Sequence, residues 1–445
     1  MTLLTTEDAK SIAYREIDRR GEEAVRIAKQ VLKNPEPGFR EHKTSALMQS
    51  EFKRFGISFK NNIAITGLKG ILNGGSPGPT VAVIGELDSH IVNGHRYADP
   101  ETSAAHACGH HTQLGMLIAS AIGLQATGVM DCMSGRVALM VIPAEEYIEI
   151  EYRNQLKRDG KLEFLTGKSE FIRLGEFDDV DMAIMTHTDN QDTKIKFGVG
   201  GTSNGMVSKL VKFTGMSAHA GYAPHLGVNA LNAATLSLSA IHAQRETFRD
   251  EDSIRIHPII TKGGGAVSAV PDDVRVETFV RGKNFDAVIS ASKKVDRAFK
   301  SGAMATGASV SITTIPGYIP LSNDSNLQEL HRINSALLVG DNSVETKEHN
   351  SGSTDMGDVS SILPAAHPYV YSASGKGHGV DYIVEDYDLA VLTSAKAMVG
   401  TVIDLLSNNA KHGQAVKNSF KPQLTKQEYL STMRSFAGDE TFSYD

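Results

Sequence analysis

The 445-residue chain has no tryptophan, only two cysteines and only 6% aromatic residues. Two cysteines are too few for the disulfide framework that stabilises many small secreted proteins. Positive charge is not in excess either, because 45 Lys and Arg residues stand against 52 Asp and Glu residues, for a net charge of −7. Since proteins that bind nucleic acid usually carry a basic surface, no nucleic-acid partner is expected.

No uninterrupted apolar run is long enough to span a bilayer. The most apolar stretch, LGMLIASAIGLQATGVM at residues 114–130, is broken by glycines and polar residues, which predicts a buried helix. The first residues, MTLLTTEDAK, become charged early and contain no apolar signal core. The sequence therefore predicts a soluble, cytoplasmic protein without a membrane partner.

Several apolar runs end in carboxylates or imidazoles. Runs such as TVAVIGELDSH and RVALMVIPAEE are typical of buried strands in an α/β protein whose sheet is covered on both faces. In such sheets the ligand site lies beyond the carboxyl ends of the strands. The polar residues at these ends are Glu86, Asp88, His90, Glu145, Glu146, His187, Asp189 and His378. Their distribution predicts one functional site at that edge of the sheet.

The middle of the chain has a different pattern. Between residues 205 and 317 the order strand, helix, strand, strand, helix, strand predicts a small antiparallel sheet with two helices on one face. This is an α+β unit of ferredoxin-like type. We therefore predict an α/β domain in two parts, residues 1–204 and 318–445, interrupted by an inserted domain at residues 205–317.

The segment AHACGHHTQLG, residues 105–115, combines one of the two cysteines with three histidines. Cys108 and His110 are two residues apart in a loop that leads into a helix, so both side chains can face one point. Thiolate, imidazole and carboxylate groups bind zinc, and imidazole with carboxylate also suits manganese. The alternative is a cysteine nucleophile activated by an adjacent imidazole. It leaves four strand-end residues without a role: Glu145, Glu146, His187 and His378.

Glu145 and Glu146 are consecutive carboxylates after one of the predicted strands. Successive side chains of an extended segment point in opposite directions, so the two carboxylates are expected to diverge. One can then bind a metal while its neighbour acts as a base. This division of roles suits metal-assisted hydrolysis, in which a metal lowers the pKa of water and a carboxylate accepts the proton.

Six short stretches, three of them within the segments described above, occur in order along nearly the whole chain: NPEPGFREHKTS, GELDS, HACGH, PAEE, SAHAGYAPHLGVNAL and GSTDMGDVS. Together they resemble the M20 family of metallopeptidases and amidohydrolases, particularly its cysteine-containing branch of aminoacylase-like, auxin-conjugate and aminobenzoyl-glutamate hydrolases. HACGH and PAEE are specific in combination. The resemblance implies a zinc-peptidase-like catalytic domain with a mixed sheet and an inserted lid or dimerisation domain.

The resemblance also implies roles for individual residues. A centre of two divalent ions, zinc or manganese, is expected, with the ligands Cys108, His110, Glu146, His187 and His378. Glu145 corresponds to the general base, and His219 to a histidine that stabilises the oxyanion, often in the partner subunit. Arg281 corresponds to an arginine that holds a substrate carboxylate, and Asp88 is expected to orient a metal-bound imidazole. A homodimer or higher homo-oligomer acting on a small carboxylate-bearing molecule is therefore expected.

The chain departs from the family pattern around the expected site. The stretch DSHIVNGH replaces an Asp-Ala-Leu-Pro type run and adds His90 and His95. His111 follows HACGH where many relatives have Asp or Asn, and Ser268 stands near the place of a substrate-binding Asn. The segment 147–186 is longer than usual, and we expect it to wall the pocket or contact another subunit.

These features leave three interpretations of the function. The first is hydrolysis of the amide C–N bond of an N-acyl or aryl amino acid by metal-activated water. The second is hydrolytic deamination of an aromatic amino acid, as in the M20-like enzyme 5-nitroanthranilate aminohydrolase. The third is a metal-binding relative without catalytic activity, which the presence of the candidate base Glu145 disfavours.

Overall fold

The computed structural model describes residues 4–190 and 194–443. The chain forms two compact units. The first contains the residues up to Thr202 with Ser322–Glu348 and Val359–Gln423, and the second contains Ser203–Leu321, His349–Asp358 and the residues from Leu424 onward. The chain passes from the first unit to the second after Thr202 and returns after Leu321. The predicted domain boundaries, 204/205 and 317/318, lie close to these two positions. The outer ends of the predicted domains, residues 1–3 and 444–445, lie outside the described residues.

Helices and strands are numbered along the chain. The helices are α1 (Thr6–Leu32), α2 (His42–Arg54), α3 (His110–Leu124), α4 (Ile150–Arg158), α5 (Gly167–Leu174), α6 (Ala230–Ala243), α7 (Phe285–Thr306), α8 (Ser325–Val339), α9 (Met356–Ile362), α10 (Ser394–Ser419) and α11 (Lys426–Phe436). The strands are β1 (Ser58–Ile63), β2 (Gly67–Asn73), β3 (Ser76–Glu86), β4 (His90–Ile91), β5 (Ala104–Ala105), β6 (Ser134–Ile142), β7 (Met182–Ile184), β8 (His187–Asn190), β9 (Phe197–Gly200), β10 (Thr202–Ser203), β11 (Gly205–Thr214), β12 (Arg255–Ile256), β13 (Ile259–Lys262), β14 (Asp273–Gly282), β15 (Ser309–Pro316), β16 (Leu321–Ser322), β17 (Val344–Lys347), β18 (Ala365–Ala366), β19 (Tyr369–Ser374), β20 (Ile383–Val384) and β21 (Gly438–Phe442).

A mixed six-stranded sheet forms the centre of the first unit. Its order is β1-β2-β6-β3-β7-β18. Strands β6, β3, β7 and β18 run parallel, and β2 runs antiparallel to both of its neighbours. Strand β3 is buried at every position from Thr80 to Glu86, as expected for a strand covered on both faces. The predicted α/β architecture with a mixed sheet is confirmed.

Helix α3 carries the most apolar part of the sequence. All of its 15 residues are buried. It packs against α1, α10 and strand β3. Gly115 permits the close approach of α1, because a Cβ atom at this position would lie 3.2 Å from the backbone oxygen of Ala24. The predicted buried helix is confirmed, and it begins at His110 directly after the cysteine-containing loop.

A second sheet of the first unit has the order β17-β9-β19-β20, with β8 beside β19. His187 is the first residue of β8 and lies opposite Tyr369 of β19. His378 follows β19, and its backbone adopts a φ of +60°. The N–H of His378 donates to the backbone oxygen of Ala107 over 2.9 Å, which brings this loop to the residue before Cys108.

The second unit contains the predicted α+β arrangement. Its antiparallel sheet has the order β12-β14-β11-β15-β21, with β13 also paired to β14. Helices α6 and α7 pack on this sheet. One predicted strand is divided into β12 and β13 around Pro258, which has no N–H for a sheet hydrogen bond. The edge strand β21 comes from the end of the chain and has no counterpart in the prediction.

Among the described residues, one helical stretch, Asp388–Ser419, is long and apolar enough to cross a membrane. In its most apolar 18-residue window, 78% is buried inside the protein. Side chains such as Val399 and Ile403 belong to the hydrophobic core of the first unit. This burial is typical of a core helix.

Candidate metal centre

Cys108, His110 and His187 form a first donor group, which we call the thiolate group. One donor atom of each residue lies within 4.8 Å of the other two. The Sγ atom of Cys108 is 3.4 Å from Nε2 of His187, while Nδ1 of His187 is 2.6 Å from the backbone oxygen of Thr188. Because that oxygen can only accept, the proton of the neutral ring is on Nδ1, and Nε2 is the donor atom toward the site.

Gly109 shapes the turn that positions the thiolate group. Its φ of +90°, directly before α3, lies in the left-handed region that glycine adopts without strain. A Cβ atom here would lie 1.8 Å from Oγ1 of Thr188. The absence of a side chain therefore lets the Cys108 loop pack against the strand that begins with His187.

Carboxylates approach His110 from two sides. Its Nδ1 lies 2.9 Å from the backbone oxygen of Asp88 and 3.3 Å from Oδ1 of the same residue. Its Nε2 lies 3.2 Å from Oε2 of Glu86. The contacts at Nδ1 fix the ring orientation, in agreement with the role expected for Asp88, and they turn Nε2 toward the site.

The consecutive glutamates converge, so the expectation that they point apart is wrong. Donor atoms of Glu145, Glu146 and His110 all lie within 4.8 Å of one another. The expectation assumed an extended chain, but strand β6 ends at Ile142 and Ala144 adopts a φ of +54°. The chain therefore turns before the glutamates, and both carboxylates reach the same point.

Buried groups hold this turn in place. The N–H of Ala144 donates to Oε1 of Glu41 over 2.8 Å, and the N–H of Glu146 donates to Oδ2 of Asp88 over 2.9 Å. Arg153, which is fully buried, donates to the backbone oxygen of Ala144 over 3.4 Å. Burial and the charge of Asp88 raise the pKa of Glu41 to about 8. Of these supports, sequence reasoning identified only Asp88.

His90, Glu146 and His378 form a second donor group, which we call the carboxylate group. Their donor atoms also lie within 4.8 Å of one another. Oε1 of Glu146 is 3.1 Å from Nε2 of His378, and the ring of His90 stacks on that of His378 with centroids 4.3 Å apart. The two groups together contain all the predicted metal ligands, Cys108, His110, Glu146, His187 and His378.

Charge pairing shifts the protonation of these groups. Burial and Glu146 act to raise the pKa of the Cys108 thiol, but the neighbouring imidazoles outweigh them and lower it to about 5. Burial acts to lower the pKa of His110, but Glu86 and Cys108 outweigh it and raise this pKa well above its usual value. Attraction to Glu146 raises the pKa of His378 to about 12 despite its burial. Anionic donors are thus balanced by imidazolium groups, a positive charge that divalent cations also supply.

The donor set fits divalent metal ions. Oε1 of Glu146 and Nε2 of His110 are buried next to opposite charges, yet neither has a hydrogen-bond partner among the described residues. Buried polar atoms in folded proteins nearly always have such a partner, and a divalent cation bound between these residues would supply one. Thiolate, imidazole and carboxylate donors match the ligand chemistry of zinc, and the nitrogen and oxygen donors also suit manganese.

Sequence reasoning missed Lys168. This residue of α5 is fully buried and forms an ion pair with Glu86. Burial acts to raise the pKa of Glu86, but the charges of Lys168 and His110 lower it to about 2, so the carboxylate stays ionised. A lysine in a polar segment gives no sequence signal of burial. The segment 147–186 therefore reaches the site, since it contains Lys168.

Two predicted site residues, His219 and Arg281, lie in the second unit. His219 is exposed, and its Nδ1 accepts hydrogen bonds from the N–H groups of Gly221 and Tyr222 over 3.2 and 2.9 Å. Its Nε2 takes no part in these two hydrogen bonds. Arg281 of β14 donates from Nε to Nε2 of His257 over 3.3 Å. The functional roles expected for both residues stay predictions.

Comparison with known proteins agrees with the fold. Residues 202–306 match the M20 peptidase dimerisation domain. The chain is 27% identical over 344 residues to the Xaa-Arg dipeptidase of Mus musculus, which covers 75% of this chain and 74% of that protein. The chain is thus similar to M20 peptidases. The resemblance seen in the sequence is thereby confirmed.

Two further comparisons extend this result. The chain is 24% identical over 357 residues to the IAA-amino acid hydrolase ILR1-like 4 of Arabidopsis thaliana, covering 78% of this chain and 76% of that protein. A dinuclear metal-binding peptidase of the M20 family from Bacillus subtilis has the same fold, with a TM-score of 0.61, 16% identity, and coverage of 87% and 99% of the two chains. The relatives' names agree with the predicted function class, hydrolysis of amide C–N bonds.

Proposed function

We propose that this M20 relative is a metal-dependent hydrolase of the amide C–N bond in a small carboxylate-bearing substrate, an N-acyl or aryl amino acid. The observation that carries the proposal is the convergence of the thiolate and carboxylate groups with Glu145 at one edge of the sheet. A storage or binding site needs ligands but no base. A second carboxylate within reach of the donors is what hydrolysis requires.

Two divalent ions, zinc or manganese, fit the site, with Cys108, His110, Glu146, His187 and His378 as ligands. Such ions, when bound, polarise the substrate carbonyl and lower the pKa of water. Glu145 accepts the proton of the attacking water and returns it to the leaving amine. Lys168 keeps Glu86 ionised beside His110, and Asp88 holds that imidazole in the orientation needed for its Nε2 to bind a metal.

The second unit supplies the remaining proposed roles. Arg281 holds the substrate carboxylate through its planar guanidinium group. His219 stabilises the oxyanion, in the site of a partner subunit. The match to a dimerisation domain and the exposed apolar side chains of this unit, such as Tyr222 and Leu226, support a homodimer. The dimer is proposed to work in the cytoplasm.

Deamination of an aromatic amino acid is the second candidate function. One observation favours it: His90, from the stretch that departs from the family pattern, lies in the carboxylate group. An extra imidazole beside the donors alters the surroundings of the bound substrate. Assaying amine release and ammonia release over a panel of aromatic amino acids and their N-acyl derivatives separates the two functions.

The cysteine-nucleophile alternative rests on the contact between Cys108 and His187 and on the lowered thiol pKa. It leaves Glu146 and His378 without a role. The two mechanisms respond oppositely to a chelator. We expect chelation to abolish activity and added zinc or manganese to restore it, whereas a cysteine nucleophile would keep its activity without metal.

Metal content tests the centre directly. We expect dialysed protein to retain two divalent ions per chain by elemental analysis. The double variant Cys108→Ala and His378→Ala removes one ligand from each donor group and should lose both ions. Wild-type protein without divalent ions, or an unchanged metal content in the double variant, contradicts the proposal.

A further inference from the structure

His90 belongs to the carboxylate group, although the sequence resemblance assigns it no role. It begins strand β4, which pairs antiparallel with β5, and His90 lies opposite Ala105. Three residues after Ala105 the chain reaches Cys108. The short strand pair therefore fixes His90 beside the loop that carries the thiolate.

The ring of His90 is oriented by two contacts. Its Nδ1 is 3.0 Å from the backbone oxygen of Ile91, which can only accept a hydrogen bond. The proton of the neutral ring is therefore on Nδ1, and Nε2 keeps its lone pair. The ring stacks on that of His378 with an interplanar angle of 26°. Metal-binding histidines are commonly held by such a bond from the second ring nitrogen to a backbone oxygen.

The two donor groups differ in chemistry and in exposure. The thiolate group offers one sulfur and two nitrogens, and it includes His110, which is 1% exposed. The carboxylate group offers two nitrogens and one oxygen, and the side chain of His378 is 47% exposed. Thiolate selects soft and borderline metals such as zinc, whereas nitrogen and oxygen donors accept a wider range. An ion in the carboxylate group is also more accessible to solvent.

We propose that His90 is a metal ligand, and that with Glu146 and His378 it forms a sulfur-free site whose divalent ion exchanges more readily than the ion bound at Cys108. The inference rests on the proposed metal-dependent function. It adds one ligand to the expected set and makes the two sites unequal. Without His90, the second ion keeps only two of the three donors that the geometry brings together.

Cobalt(II) is the probe for the test, since a cobalt–thiolate bond gives an intense near-ultraviolet charge-transfer band. Chelator-treated protein is titrated with Co²⁺, and bound ions are counted by equilibrium dialysis. We expect wild-type protein to bind two ions, one with the charge-transfer band and one without it. His90→Ala should keep the band and bind the second ion at least about 100-fold more weakly, because losing even an outer partner of a ligand costs 10–100-fold.

Two further variants act as controls. Cys108→Ser should lose the charge-transfer band while keeping the ion of the carboxylate group. His412→Ala removes an exposed imidazole on α10 and should behave as the wild type. Near-ultraviolet circular dichroism before metal addition checks that each variant is folded.

The possible outcomes separate this inference from the proposed function. Wild-type protein that binds no cobalt contradicts both. Two ions bound equally tightly by wild type and His90→Ala would overturn the role of His90 alone. Wild type with a single ion would overturn the second site. Loss of both ions in His90→Ala would show that His90 supports the whole centre and is not a ligand of one ion.

Discussion

Strands β3 and β14, from the first and second units, bury their side chains in different ways. Strand β3 is buried at every position from Thr80 to Glu86, whereas β14 alternates buried and half-buried residues along its length. A sheet covered on both faces buries every side chain of its central strands, whereas a sheet covered on one face buries every second side chain. Where strands covered on both faces end, the first polar side chains meet at one edge of the sheet. This is why the donor atoms collect in the first unit.

The histidines of the two units also differ in how deeply they are buried. In the first unit His106, His110, His111, His331 and His367 are each at most 2% exposed. The five histidines of the second unit, all within the described residues, are half-buried or exposed. The first unit also has exposed histidines, His42 and His412, so the difference between the units is that only the first one buries imidazoles completely.

The largest expected effect comes from a substitution that removes the proposed general base of the first unit. Glu145→Gln is nearly isosteric but cannot accept a proton, so we expect kcat to fall about 10²–10⁴-fold with both metal ions retained. Steady-state kinetics and metal analysis of the same sample measure the two quantities. The control Glu151→Gln changes an exposed residue of α4 and should leave kcat unaltered. Normal turnover in Glu145→Gln would assign the base to another residue.

The next experiment asks whether the second unit serves another subunit. Inactive His219→Ala and inactive Glu145→Gln proteins are mixed and allowed to exchange subunits. If His219 acts in the partner's site, about a quarter of the wild-type activity should return, because half of the dimers are mixed and each holds one complete site.

A matched mixture separates this complementation from other effects. Cys108→Ala and Glu145→Gln both alter the first unit, so their mixed dimers contain no complete site and should stay inactive. Demonstrated subunit exchange without recovery in the His219→Ala mixture would place His219 in its own chain's site or outside catalysis.

Alanine substitution at consecutive positions tests the burial pattern itself. Val83→Ala and Ile84→Ala in β3 should each lower the free energy of unfolding by about 2 kcal/mol or more, since both side chains are buried. In β14 we expect a similar loss for Val276→Ala and a much smaller one for its half-buried neighbour in Glu277→Ala. Urea denaturation measures all four variants. Equal losses of unfolding free energy at the two β14 positions would contradict the description of this sheet as covered on one face.

The smallest expected effect concerns pH. Burial lowers the pKa of His331 from 6.5 to about 4, so the unfolded chain binds more protons than the folded one in this range. Its contribution to stability is complete above pH 6.5 and is lost as the pH falls toward 4. His331→Leu should therefore show a shallower fall in stability between pH 6.5 and 4 in urea denaturation of chelator-treated protein. His412→Ala, at an exposed position, should follow the wild type.

The sequence by itself determined much of the fold. Continuous apolar runs specified the buried strands, and the run after HACGH specified helix α3, because these patterns depend only on local periodicity and burial. The order of elements between residues 205 and 317 specified the second α+β arrangement. The ends of strands in a sheet covered on both faces also predicted that Glu146, His187 and His378 meet, as they do. The full set of proposed ligands, which adds Cys108 and His110, came from the family resemblance.

Tertiary structure decided the contacts that no local pattern encodes. The turn at Ala144, held by Glu41, makes the two glutamates converge, which an extended chain would not do. His90 meets His378, and Lys168 meets Glu86, across long separations in the sequence. The sequence does not show whether a given histidine or lysine is solvated or buried. Only the packing of distant segments fixes its neighbours, and those neighbours set its charge and the direction of its donor atoms.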